Sequence, residues 1–190
     1  MPRRNPDVVR TDRALGRTGV AQTVTFAADA ATPTDDELLR FAQGVELVMV
    51  RVYQVALPLL SSLPASQAAA TFVRHHADHA AALAKAPGGR PVTANRSLLG
   101  ELTATVAAAK TEREALGALF DLENAVAATY QYLSEHLTSD AALRQVSAVL
   151  PVESQHAAVW GTTLQRELKE IVPVFQRQNG HYDPSRYPVA

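Results

Sequence analysis

Glu46, His76 and His79 recur as Glu123, Glu153 and His156 with their intervals preserved, 30 and 33 residues in each set. The two sets lie 77 positions apart, and Tyr53 and Tyr130, each seven residues after its glutamate, share that offset. With 5 Tyr in 190 residues, such a match would arise by chance in roughly one trial in a thousand. A chain carrying this pattern is predicted to be a duplicated helical hairpin, its two copies directing oxygen and nitrogen donors to one centre.

Helical periodicity supports this. The first predicted helix starts at Thr34 or Asp35, a capping residue followed by acidic residues, and runs to Pro58, which kinks or ends it. Leu39, Gln43, Glu46, Val50, Tyr53 and Leu57 form its inner stripe. The second opens near Pro64–Ser66, aligns Phe72, His75, His76, His79 and Leu83, and stops at Pro87–Gly88–Gly89. The third begins at the capping-box signature Thr111-x-x-Glu114 and carries Leu116, Leu119, Glu123, Val126, Tyr130 and Leu133. The fourth is predicted from Ser139 to Ile171, with Pro151 kinking it one turn before Glu153 and His156.

Short links make each pair antiparallel, whereas about 25 residues, with a helical stretch at Leu98–Ala109, separate the pairs. The expected fold is all-α: a four-helix bundle of two hairpins joined by a long crossover, over residues 34–172. Residues 1–33, with Pro2, Pro6 and Pro33, read as an extended arm. Residues 173–190 read as an irregular tail whose Phe175, Tyr182 and Tyr187 suit packing against a second subunit, so a homodimer is the expectation.

The chemistry follows from where the acidic residues sit. Glu46 and Glu123 lie on apolar stripes, and no Lys or Arg occurs between Arg113 and Arg144 to neutralise Glu123. An ionised carboxylate buried without compensation costs several kcal/mol. A divalent cation shared between helices would supply the missing charge. The alternative is a bundle without metal, its glutamates hydrogen-bonded to His and Tyr across the core. Residues three apart share a helix face, so His76/His79 and Glu153/His156 can each present two donors. Tyr53 and Tyr130 are placed to hydrogen-bond the ligand carboxylates or to serve redox chemistry, or else simply pack in the core. His75 falls one position off the ligand face, with displacement of His76 as ligand the other reading; Trp160 reads as core, and His136, His181 and Asp78 as surface.

One Glu on each of two helices and Glu-x-x-His on each of the other two is the di-metal carboxylate arrangement. Over residues 35–168 the chain resembles the ferritin-like superfamily, closest to small bacterial ferritin-like domain proteins. The resemblance implies Glu46, His79, Glu123, Glu153 and His156 as ligands of a non-haem centre, with iron, one or two ions, ahead of manganese or zinc. It implies oxygen- or peroxide-dependent oxidase or ferroxidase activity, against a non-catalytic metal-binding structural or stress-related bundle, or an interaction module using the arm and tail. His76 departs from the pattern, standing where a bridging glutamate belongs. Neutral imidazole offers one lone pair to one metal, which leaves open a single metal, an asymmetric pair, or none held tightly.

Composition excludes other classes. No cysteine means no thiolate zinc site, iron–sulfur cluster or disulfide. A net charge of −1 supplies no basic field for nucleic acid or an anionic membrane. Arg3–Arg4 is followed by no apolar region, so no signal peptide is read and the expected compartment is cytoplasmic.

Overall fold

A computed structural model describes residues 32–86, 89–173 and 179–188. The predicted arm falls outside these but for its last two residues. Among the described residues there are six α-helices: α1 (Asp35–Ala56), α2 (Leu63–Lys85), α3 (Arg96–Ala107), α4 (Glu112–His136), α5 (Asp140–Thr163) and α6 (Leu168–Ile171), with a 3₁₀ turn at Leu57–Leu59. No strand occurs among the described residues. The four predicted helices are α1, α2, α4 and α5.

Local chemistry sets the boundaries. Thr34 and Glu37 form a capping box at the start of α1. Pro58 ends α1 by tightening the chain into the 3₁₀ turn, and Pro64 occupies the first turn of α2, where its missing N–H costs nothing. Thr111 caps α4, but Glu114 reaches back to the Lys110 amide (2.6 Å) rather than completing the predicted box. The α5 helix runs unbroken through Pro151. It ends earlier than predicted, at Thr163: Gln165 has a positive φ of 57°, a conformation that cannot continue a right-handed helix, and the chain resumes only as the single turn α6.

Side-chain pairs reveal the topology. Gln43 meets Ala80, Glu46 meets His76, and Tyr53 meets Phe72, so α2 runs antiparallel to α1. Glu46 meets Tyr130 and Tyr53 meets Glu123, so α4 is antiparallel to α1 as well. His79 meets Glu153 and Phe72 meets Trp160, which sets α2 against α5. The α3 helix, inside the crossover, packs on α1 and α4. These are two hairpins joined by a long return, as the connection lengths predict.

Two carboxylates fasten the bundle ends. Glu112, at the start of α4, accepts from the amides of Ser61 and Ser62 (3.0 Å each) and from both hydroxyls. Asp35, at the start of α1, accepts from the amides of Thr138 (2.9 Å) and Ser139 (2.6 Å). Each clamp joins the first helix of one hairpin to the turn of the other. Glu112 follows Asp35 by 77 positions, and Thr138–Ser139 follow Ser61–Ser62 by the same interval. The offset read from the site residues thus extends to both ends of the bundle.

The tail corrects one expectation. Tyr182 and Tyr187 are buried in this chain's own core rather than offered to a partner. The Tyr182 amide donates to Thr129 Oγ1 (2.8 Å), and the Tyr187 hydroxyl donates to Glu101 (2.7 Å), so they give no support to a dimer. Phe175 lies outside the described residues.

The Glu112 clamp is open to test. Its serine donors hold the carboxyl at a pKa of about 2, below the ordinary 4.5. A carboxylate with a depressed folded pKa stabilises above its unfolded value and loses that contribution as pH falls toward the folded one. Glu112→Gln is therefore expected to cost about 1 kcal/mol near neutrality. In thermal unfolding, the difference from the parent should close as pH falls from about 4.5 toward 2.

Candidate metal centre

All six predicted site residues converge at mid-bundle. Glu46 from α1, His76 and His79 from α2, Glu123 from α4, and Glu153 and His156 from α5 form two overlapping quartets. One comprises Glu46, His76, His79 and Glu153; the other comprises His76, Glu123, Glu153 and His156. Within each, one donor atom per residue lies within 4.8 Å of all the others. His76 and Glu153 belong to both. Glu46, His76, Glu123 and Glu153 are wholly buried and His156 is 1% exposed, whereas the His79 side chain keeps 16% of its surface.

The contacts fall into two kinds. His76 lies between two glutamates, with Nδ1 2.7 Å from Glu46 Oε2 and Nε2 3.2 Å from Glu123 Oε1. The Tyr53 hydroxyl donates to Glu123 Oε1, and the Tyr130 hydroxyl to Glu46 Oε1. Each tyrosine thus hydrogen-bonds the glutamate of the other hairpin while filling the core. Trp160 Nε1–H donates to the Tyr53 oxygen (2.8 Å), which fixes that ring from behind.

The remaining donors find no such partners. Both oxygens of Glu153, Oε2 of Glu123, and Nδ1 of His79 and His156 are buried without a hydrogen bond. His79 Nδ1 lies only 2.8 Å from Glu153 Oε1, and His156 Nδ1 lies 3.3 Å from Glu153 Oε2, yet neither pair is aligned for a hydrogen bond. Donor atoms packed this close without an aligned hydrogen bond between them suit a shared cation. Leaving five such atoms unsatisfied would otherwise cost about 1–3 kcal/mol each. The donor set, oxygen and imidazole without sulfur, fits the metal that the sequence pattern calls for.

Charge balance points the same way. The described residues place no Lys or Arg in contact with these carboxylates; the only basic groups are the histidines. Burial pushes the Glu46 carboxyl up, but His76 and His79 outweigh it and hold the pKa at about 2. Burial and repulsion from Glu46 raise Glu153. Burial works against a charged His79, but the facing Glu153 and Glu46 carry its pKa up to about 9.

His75 lies closer to the centre than its place off the ligand face suggests. Its Nδ1 is 2.9 Å from His156 Nε2, with the rings stacked, while Phe72 stacks on His156 at 4.0 Å. It joins neither quartet, whereas His76 belongs to both. The available signal was its i, i+4 relation to His79. Gln43, on the predicted inner stripe, ties Ala80 O to the Val92 amide instead of facing the quartets. His136 and His181 are away from the site, both stacked on Tyr132, and Asp78 is exposed.

A helical bundle with two hairpins, a long crossover and Glu/His quartets at mid-height defines a class of protein that can bind metal between its helices. Matching against family profiles finds the ferritin-like domain over residues 8–89 and 65–166. The chain belongs to the ferritin-like domain family. No curated protein and no solved structure matches it. Among the described residues, no helix is long and apolar enough to cross a membrane.

Protons and a bound metal would compete for these imidazoles. A His whose folded pKa is raised adds stability below its unfolded value and loses it as pH climbs through the folded one. Chelator-treated protein should therefore melt at falling temperature from pH 6.5 to about 9, the His79 window. Apparent affinity for a divalent metal should rise over the same range, because the bound ligand is neutral imidazole. Calorimetry at several pH values with and without chelator reads both trends.

Proposed function

We propose that the centre is a non-haem iron site in which Glu46, His76, His79, Glu123, Glu153 and His156 are the ligands, working as an oxidase or ferroxidase toward dioxygen or peroxide. The carrying observation is the set of buried, unpartnered donors aimed into two overlapping quartets. Bound iron would supply the redox chemistry, and carboxylate ligands favour its higher oxidation state.

The chain's own residues provide the rest. Glu46 and Glu123 are held in place by Tyr130 and Tyr53, so the second oxygen of each stays directed at the quartets. The surrounding apolar core, including Val126, Val149 and Leu119, limits access of bulk water. His79 is the ligand with an appreciable exposed surface, and the half-buried His75 lies beside His156. We infer that ferrous iron, as substrate, and oxidant approach along this edge of α2. In a ferroxidase each ferrous ion gives up one electron to the oxidant. Mixed oxygen and nitrogen donors also suit manganese and zinc; the family resemblance favours iron.

Protein purified without chelators should carry iron, or take it up anaerobically as the ferrous ion. Admitting oxygen should then give a new absorbance with oxygen consumption. Glu123→Gln, nearly isosteric, is expected to lower metal affinity or turnover by about 100-fold or more. Uptake of no metal would end the proposal.

The second reading is a metal that stabilises the bundle without turnover, favoured by the near-complete burial of five of the six ligands. It requires a melting temperature that rises with metal while oxygen consumption stays at the buffer rate. Oxygen-electrode traces of the iron-loaded protein separate the two.

A further inference from the structure

The departure at position 76 has a structural consequence. In a four-glutamate version of this site the carboxylates bring four negative charges, which balance two divalent cations. Here Glu46, Glu123 and Glu153 bring three, in a core with no other anion among the described site groups. Tyr53 and Tyr130 do not make up the difference, because each uses its hydroxyl proton to donate to a glutamate. One unit of positive charge would then stay buried and unbalanced, which is costly in a low-dielectric interior.

His76 stands at the right place to supply it. Its two ring nitrogens face different glutamates: Nδ1 is 2.7 Å from Glu46 Oε2, whereas Nε2 is 3.2 Å from Glu123 Oε1, and Glu153 Oε2 lies 3.8 Å from Nδ1. Glu153 is divided likewise, with Oε1 beside His79 and Oε2 beside His156. The rings of Tyr53 (centroid distance 5.4 Å), His79 and His156 surround the imidazole and restrain it from rotating to serve one side only.

We propose that His76 is a bridging ligand, giving Nδ1 to a metal held with Glu46, His79 and Glu153, and Nε2 to a metal held with Glu123, His156 and Glu153. This deepens the metal-binding reading above and rests on it. With both nitrogens coordinated, the imidazole must release its remaining N–H proton to solvent, one per pair of ions, and it becomes an anion. That fourth negative charge restores the balance lost when glutamate is replaced. The replacement therefore keeps a two-ion site and changes its bridge from carboxylate to imidazolate.

Diffraction from zinc-loaded crystals, with anomalous differences measured across the zinc edge, locates the ions directly. The expected map has two peaks per chain, one beside each ring nitrogen of His76. Copper(II) loading supplies an independent readout. An imidazolate bridge couples two cupric ions antiferromagnetically, so the integrated electron paramagnetic resonance signal should fall several-fold below the copper content. Zinc-loaded His76→Glu should keep two peaks but bring them closer together, because a carboxylate spans a shorter metal–metal distance than an imidazole ring. A single zinc peak, or two peaks with one nitrogen of His76 still hydrogen-bonded to a glutamate, overturns the bridge while leaving metal binding intact. Full signal intensity from doubly copper-loaded protein does the same. The absence of any zinc peak overturns the metal reading and the bridge together.

Discussion

Three carboxylates facing one another inside an apolar bundle are the constraint on which the rest of the structure depends. Mutual repulsion and lost hydration make such an arrangement unfavourable unless every oxygen has a partner. Tyrosine hydroxyls and His76 satisfy Glu46 fully and one oxygen of Glu123. Both oxygens of Glu153 and the second of Glu123 are left over, and they share the centre with the unsatisfied nitrogens of His79 and His156. The protein is thus built around a charge problem that its own side chains solve only in part.

The scaffold shows how that cost is contained. Tyr53 and Tyr130 cross between hairpins, and Glu112 and Asp35 cross between hairpins at opposite ends. Forces that would push the carboxylates apart are opposed at three heights by contacts tying one hairpin to the other. Trp160, fully buried, anchors Tyr53 and extends this support into α5. The residues that make these crossing contacts recur at a spacing of 77 positions.

Much of this was legible in the chain. Repetition of Glu and His at fixed intervals predicted which residues would meet, because helical geometry turns those intervals into shared faces. The long link between Lys85 and Glu112 predicted the crossover from length alone. The end of α5 was not legible: the apolar stripe continues to Ile171, yet a backbone reversal at Gln165 interrupts it. The tail was misread for a related reason. Aromatic residues in an irregular segment show that they will be buried, but not against which surface.

The sequence by itself determined the fold class, the four helices that carry the Glu and His residues and which six of these meet at mid-bundle, since periodicity and interval are properties of the chain. Only the tertiary structure decided how those donors are shared. That His76 turns one nitrogen to Glu46 and the other to Glu123, that Glu153 divides its oxygens, and that His75 backs His156 depend on the spacing and rotation of packed helices. Those are set by side-chain packing between segments far apart in the chain, which one-dimensional spacing does not encode.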